Sequence, residues 1–225
     1  MRARAISALC FCMALPRLPH KDKQLVQIMD AALADAAQRS GDWLVCRVGC
    51  TQCCVGVFAI SQLDVLRLRH GMAVLEREHP ERARAVRERA RQSVSRLAKT
   101  FPGNRETGIL GEDDESLEHF EEFGNDEVCP VLSPETGECE LYASRPMTCR
   151  VFGPPIRSEG GLGACELCYH GATDEQIAEC ELVTGTDDLE ASLTEEAERK
   201  IGKRGNTTVA YCLAKKTSVG GIIGT

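Results

Sequence analysis

Cys46-Arg-Val-Gly-Cys50-Thr-Gln-Cys53-Cys54 is the stretch from which the rest of the chain has to be read. Thiols this crowded are paired, metallated or redox-active. The four cysteines fall at i, i+4, i+7 and i+8. On an ideal helix they would share one side, within about a third of the circumference. Gly49 weakens such a helix by about 1 kcal/mol, so a looped claw stands as an equal alternative. Either geometry gathers sulfurs toward one point. The side chains of adjacent Cys53 and Cys54 are expected to diverge, which suggests two neighbouring sites, or one ligand and one spare thiol.

Five more cysteines follow, at Cys129, Cys139, Cys149, Cys165 and Cys168. Cys129 precedes Pro130, and a Cys-Pro pair recurs beside iron–sulfur clusters, where proline stiffens the exit from the site. Cys165-Glu-Leu-Cys168 has the two-residue gap that lets one turn offer two sulfurs to one centre. His170 is an alternative ligand; its other reading, which we favour, is a surface loop histidine. A tetrahedral zinc takes four thiolates, and a [4Fe–4S] cluster takes four, or three with an open iron. Histidine is scarce in this region, which tilts the balance from Cys/His zinc modules toward iron–sulfur. Zinc is the alternative, and disulfide or thiol redox chemistry comes third. Cys180 and Cys212 sit in helical or apolar stretches and read as buried small hydrophobes. Arg145 and Arg150 flank Cys149 and are candidate cofactor-binding residues, able to donate to cluster sulfurs or counter their charge. Arg150, next to the cysteine, is the stronger of the two.

The chain has 225 residues, which suggests one domain with tails. Apolar residues make up 43% but aromatics only 4%, so the core buries little surface in large rings and an added staple is expected. Net charge is -7, which argues against nucleic acid as a partner. Thirteen cysteines, an odd number, cannot all pair within one chain. Arg2 and Arg4 precede an apolar run over 5–15, but Pro16-Arg17-Leu18-Pro19 follows it in place of a small-x-small cleavage site. Residues 1–21 are therefore read as a loose extension, with a signal peptide as the minor reading. No run reaches the length of a membrane span. The expectation is a cytoplasmic protein whose thiols stay reduced, with no membrane association and a redox protein as its partner.

Along the chain, residues 23–39 read as a helix ending at Gly41. Residues 55–60 read as extended. Ser61 and Asp64 suggest a capping box for a helix to about Arg69, with Gly71 as a break. Pro80 opens a helix to about Lys99 with an apolar seam of Ala83, Val86, Ala90, Val94, Leu97 and Phe101. Across 65–105 there are 11 Lys/Arg against 4 Asp/Glu; across 106–140 there are 13 Asp/Glu and no Lys/Arg. The acidic segment either folds over the basic helix or is a separate solvated surface, and the two readings weigh equally. Residues 129–172 are turn-rich. Thr173-Asp-Glu-Gln176 is a capping box, and a further helix spans 187–201. The body of the domain is placed at 22–204, with cysteine groups at 46–54 and 129–168, and residues 205–225 read as a frayed tail. The fold class is mainly α: an irregular, turn-rich single domain stapled by a cysteine-ligated metal centre.

The motifs resemble those of the YkgJ-type cysteine-cluster family, a zinc- or iron-chelating domain with the pattern C-x(2,3)-C-x-x-C-C, then C-P-x-L, then C-x-x-Y-x-x-R-P-x-x-C-R, then a final cysteine. Here these are Cys46, Cys50, Cys53 and Cys54; Cys129, Pro130 and Leu132; Cys139, Tyr142, Arg145, Pro146, Cys149 and Arg150; and Cys165. The resemblance implies metal binding over about 46–168. A relative, flagellin lysine methylase, carries a similar cysteine set and uses S-adenosylmethionine; the motif residues here identify the metal site only. The ligand pool is Cys46, Cys50, Cys53, Cys54, Cys129, Cys139, Cys149 and Cys165, with Cys168 in reserve. The expected role is that of an iron–sulfur electron carrier or accessory subunit. The alternatives are a zinc-stabilised interaction module and an S-adenosylmethionine-dependent protein-modifying enzyme.

Overall fold

Ser61-Gln-Leu-Asp64 starts the helix around which the others pack. The Ser61 hydroxyl accepts from the Asp64 amide at 3.2 Å, while the Asp64 carboxylate accepts from the Ser61 amide at 3.4 Å. The helix, α2, spans Gln62–Glu78 and is buried on two sides. Leu63 and Leu66 pack with Leu25, Met29 and Leu193. Val65, Leu68 and Met72 pack with Val86, Ala90 and Leu213. The expected break at Gly71 does not occur. A side chain there would place its Cβ 2.5 Å from Ser144 Oγ, so glycine is the residue that lets a later turn lie against the helix. That packing outweighs the propensity cost of about 1 kcal/mol.

The computed structural model describes residues 15–47, 49–158 and 160–215. Among these residues about 52% are helical and there are two small hairpins, a mainly α fold. Before α2 comes α1 (Asp22–Ser40), which buries Leu25, Met29 and Ala36 and ends at Gly41. Next is α3 (Pro80–Leu97), with proline at its first position and Ala83, Val86, Ala90 and Leu97 buried. Strands β1 (Gly103–Asn104) and β2 (Ile109–Leu110) pair antiparallel, and α4 (Asp114–Glu122) follows. The turn-rich part holds α5 (Met147–Val151) and the antiparallel pair β3 (Ile156–Ser158) and β4 (Gly161–Gly163). The chain continues through α6 (Asp174–Glu179), capped by Thr173 and Gln176, and α7 (Asp187–Ile201) to α8 (Val209–Ala214).

Several expectations are corrected. Residues 209–214 are not frayed: the apolar run Val209-Ala-Tyr-Cys-Leu213 forms α8, which packs on α3 and buries Ala210, Cys212 and Leu213. Residues 15–21 are not loose. Leu18 packs against the α1–α2–α7 cluster, the Pro16 carbonyl lies 2.8 Å from His70 Nε2, and the Arg17 carbonyl accepts from Lys200 Nζ at 3.0 Å. The apolar run at 5–15 lies almost wholly outside the described residues, as does the glycine-rich end of the chain. Of the two readings for the acidic segment, docking holds at two points. Glu127 pairs with Arg96 at 2.6 Å, and Glu140 pairs with Arg89 at 2.7 Å and Arg82 at 2.9 Å, all three arginines from α3. Ahead of both points in the chain, α4, which the sequence reading missed, has no buried residue. Among the described residues no helix is long and apolar enough to cross a membrane.

A buried ionic network fixes how α1, α2 and α5 meet. Arg67 bonds Asp22 of α1 at 2.7 Å and Asp64 at 2.8 Å. Asp64 Oδ1 also accepts the Met147 amide at 3.0 Å, which sets the start of α5. Cys149 rides on that short helix.

Gly71→Ala is expected to destabilise by about 1–3 kcal/mol through overpacking against Ser144. Adding Ser144→Gly should return most of it, as read by urea unfolding of the two variants. Arg96, the main cause, holds the Glu127 carboxyl below the usual range, and burial partly opposes it. A lowered folded-state value means the pair's contribution is present above the ordinary carboxylate range and is lost as pH falls through the folded value. Glu127→Gln should therefore lose at most about 1 kcal/mol at neutral pH. Melting curves of the variant across acid pH should fall less steeply than those of the parent.

Candidate metal centre

The 46–54 stretch is a looped claw, not a helix. The Cys50 amide donates to the Arg47 carbonyl at 2.9 Å, and Gly49 sits at φ +88°, outside helical space. One 3₁₀ turn over Gln52–Cys54 follows, closed by the Cys54 amide on the Thr51 carbonyl at 2.8 Å. The claw captures the next segment directly: the Cys129 amide donates to the Cys54 carbonyl at 2.8 Å, beside a Val55–Val128 bridge. Leu132 and Cys139 then form a bridge across a tight turn, so Cys139 returns toward Cys129. Asp64 and α5 bring Cys149 in from a third direction.

The result is a cavity of about 750 Å³ lined by Cys46, Cys50, Cys53, Cys54, Cys129, Cys139 and Cys149. Phe58, Tyr142, Arg145 and Phe152 complete its wall. Cys165 and Cys168 lie to one side, packed with Trp43 and Leu44. Cys165 lines a neighbouring cavity with Gln52 and Glu166. Every described cysteine is a free thiol. Among the described residues no three His, Cys, Asp or Glu side chains already converge on a point that a single ion would fill. His170 is exposed. Cys180 and Cys212 are buried in apolar clusters, as their sequence context suggested; burial pushes the Cys212 thiol up to about 11.

The thiols sort by the neighbours they feel. Burial, then the nearby Cys149 and Cys139, pushes Cys129 up to about 12. Burial, then Cys53 and Cys139, does the same for Cys149, also to about 12. Cys139 is raised by burial and by Cys53. Hydrogen bonding with the Cys54 thiol is the largest cause raising Cys53, so these two side chains do not diverge as expected but lie together. Cys46 is raised by burial, then by Cys50, Cys53 and Cys165; Cys168 by burial, then by Cys165 and Cys46. Two neighbourhoods result, touching at Cys53 and Cys46. Thiols held this high are protonated at neutral pH. They become ligands when a cation replaces their protons, because the metal charge offsets both burial and mutual repulsion.

The weighting of the two arginines is reversed. Arg150 is 5% exposed, and its guanidinium goes to the Asp30 carboxylate at 3.1 Å and the Ala143 carbonyl at 2.6 Å, tying α5 to α1. The positive charge felt by Cys53, Cys139 and Cys149 is that of Arg145, which lowers all three. Arg145 lies 3.9 Å above the Tyr142 ring and donates to the Tyr142 carbonyl at 3.1 Å. Tyr142 was overlooked as its support, although an i, i+3 aromatic–arginine spacing is a readable sign.

Free thiols from separate segments, gathered round one cavity, belong to a cysteine-rich metal-binding domain. Residues 45–168 match the family model described as "CxxCxxCC: Putative zinc- or iron-chelating domain", and the chain belongs to that family. No curated protein and no solved structure matches it.

Arg150→Met should lower stability by about 1–3 kcal/mol, the range for a buried charged donor, and leave bound metal unchanged. Arg145→Met should do the opposite: little change in melting, but measurable loss of bound metal by elemental analysis.

Proposed function

We propose that this protein holds an iron–sulfur cluster, of the [4Fe–4S] type, and serves as an electron carrier or redox subunit. Cys53, Cys129, Cys139 and Cys149 are its ligands, with Cys54 in reserve. The observation that carries this reading is the combination of space and charge. Seven thiols line a cavity of about 750 Å³, the four ligands come to it from three segments, and the charge of Arg145 acts on three of those four. A single zinc ion with Zn–S distances of about 2.3 Å needs no such room. A cluster brings inorganic sulfide and iron into the space and leaves a net negative charge for an arginine to meet.

When bound, the cluster supplies one-electron chemistry at a potential set by charge, hydrogen bonds and solvent access. The chain's own residues set those terms. Arg145, held over Tyr142, counters negative charge; Phe58 and Phe152, 5.7 Å apart edge to face, keep water from one wall. Cys129-Pro130 removes an amide donor just beyond the site. Val45, Val55, Val128 and Tyr142 are exposed apolar residues on these same segments, which suits docking of a redox protein partner. The free thiols suit a reducing compartment, and we assign the protein to the cytoplasm.

Anaerobic purification tests the reading. The expected product is brown, absorbs broadly in the visible, contains iron and acid-labile sulfide, and bleaches with dithionite. Cys149→Ser should lose the colour and both elements. A colourless protein that carries zinc alone would overturn the assignment in favour of a zinc-stabilised module.

A further inference from the structure

With Cys53, Cys129, Cys139 and Cys149 given to the cluster, Cys46 and Cys50 are left at the edge of the ligand set on the same cavity wall, and Cys165 and Cys168 lie to its side. We propose that Cys46, Cys50, Cys165 and Cys168 form a second, separate centre: a structural four-thiolate zinc site beside the cluster pocket. The proposal rests on the cluster reading only for the division of the pool; the contacts that tie the two segments together do not depend on it.

Each half is a cysteine pair on a turn. Cys46 and Cys50 are separated by three residues, with the turn closed by the Cys50 amide on the Arg47 carbonyl at 2.9 Å. Cys165 and Cys168 are separated by two, closed by the Cys168 amide on the Cys165 carbonyl at 2.9 Å. Gaps of two to four residues within pairs from distant segments are the layout of four-cysteine zinc sites, where each turn offers two sulfurs to one tetrahedron. Three independent ties bring the pairs face to face. The Tyr169 amide donates to the Trp43 carbonyl at 2.9 Å, joining the segment after one pair to the segment before the other. The Cys165 amide donates to the Gly153 carbonyl at 3.3 Å, and a Cβ on Gly153 would lie 3.8 Å from Cys46 Cβ and 3.9 Å from its Sγ. Gln52 Nε2 donates to Glu166, which lies inside the second pair.

Chemistry separates this set from the cluster set. Cys165 and Cys168 pack against Trp43 and Leu44, whereas Arg145 lines the cavity that holds the other group. The loop after Cys168 is held in little regular structure, and Tyr169 sits at φ +61°, a left-handed conformation costly for a tyrosine. A zinc ion that draws the two pairs onto one point would hold that loop to the claw. This gives Cys168, a reserve ligand from sequence, a defined place.

The test is metal content of the full chain purified anaerobically, with Cys168→Ser and Cys149→Ser beside the parent. The parent should carry about one zinc per chain in addition to iron and sulfide. Cys168→Ser should lose the zinc and keep iron, sulfide and visible absorption; Cys149→Ser should do the reverse. If Cys168→Ser keeps its zinc, or loses iron and zinc together, or if the parent has no zinc, the second centre is refuted and the cluster reading is judged on the iron alone. If the parent holds zinc that Cys168→Ser loses, but holds no iron or sulfide, the cluster reading fails and the zinc site stands. Should Cys168→Ser fail to fold, cobalt(II) titration of the cluster-loaded parent after zinc removal decides. One equivalent with thiolate-to-cobalt charge transfer supports the site, and none overturns it.

Discussion

Thiols gathered in a half-buried cavity cannot ionise one at a time without cost, and they cannot ionise together without a cation. Burial is the first cause raising Cys129, Cys139 and Cys149, and the charge of neighbouring thiolates adds to it. A protein gains nothing in stability from placing polar, easily oxidised groups there unless something binds them. The arrangement is explained once a positively charged centre is supplied, for metal–thiolate bonds offset both penalties and couple binding to folding. Arg145 offsets part of the charge from outside, which is the work of a neighbour to a ligand set and not of a ligand.

The helices serve this site by position. Asp64 is the clearest case. Its carboxylate caps α2, pairs with Arg67 and accepts the Met147 amide. One side chain thus fixes a helix start, a buried ion pair and the entry to the segment that carries Cys149. A buried ion pair by itself is weak grounds for stability. Its value here is that it has one geometry, and so holds α1, α2 and α5 in one relation. Gly71 plays a similar part at the other end, where absence of a side chain admits Ser144 and the turn that leads to Arg145.

The sequence was most readable where local chemistry decides. Capping boxes at Ser61 and Thr173, proline at the start of α3 and glycine after α1 each act within one turn, and the helix boundaries they mark are those found. The cysteine spacings named the family for the same reason. What was not legible depended on partners distant in the chain. Gly71 reads as a breaker until Ser144 is seen against it. The apolar run at 209–214 reads as a tail until α3 is there to cover it. Arg150 looks like the arginine of the metal site because it adjoins Cys149, yet a helix residue points away from its neighbour, and Asp30 of α1 claims it. The same turn of the chain leaves Arg145, four residues before Cys149, to face the thiols.

The division of the thiols follows from that topology. The segment 129–149 is pinned through Cys54 and Leu132, and its Cys129 and Cys139 pack against the cluster of buried residues shared by α2, α3 and α8. The segment 165–169 is pinned through Trp43 and Gly153, and its cysteines pack against a different cluster with Leu44 and Cys180. Two anchorages on two apolar clusters place these sulfurs in two groups, and the claw at 46–54, which Gly49 breaks from helix, is tied to both segments, through the Cys54 carbonyl to Cys129 and through Gln52 to Glu166. A helical claw would present all four of its sulfurs to one side and could serve one centre. The looped form leaves all four on the wall of the cavity, and in the reading proposed above Cys46 and Cys50 serve one centre and Cys53 the other.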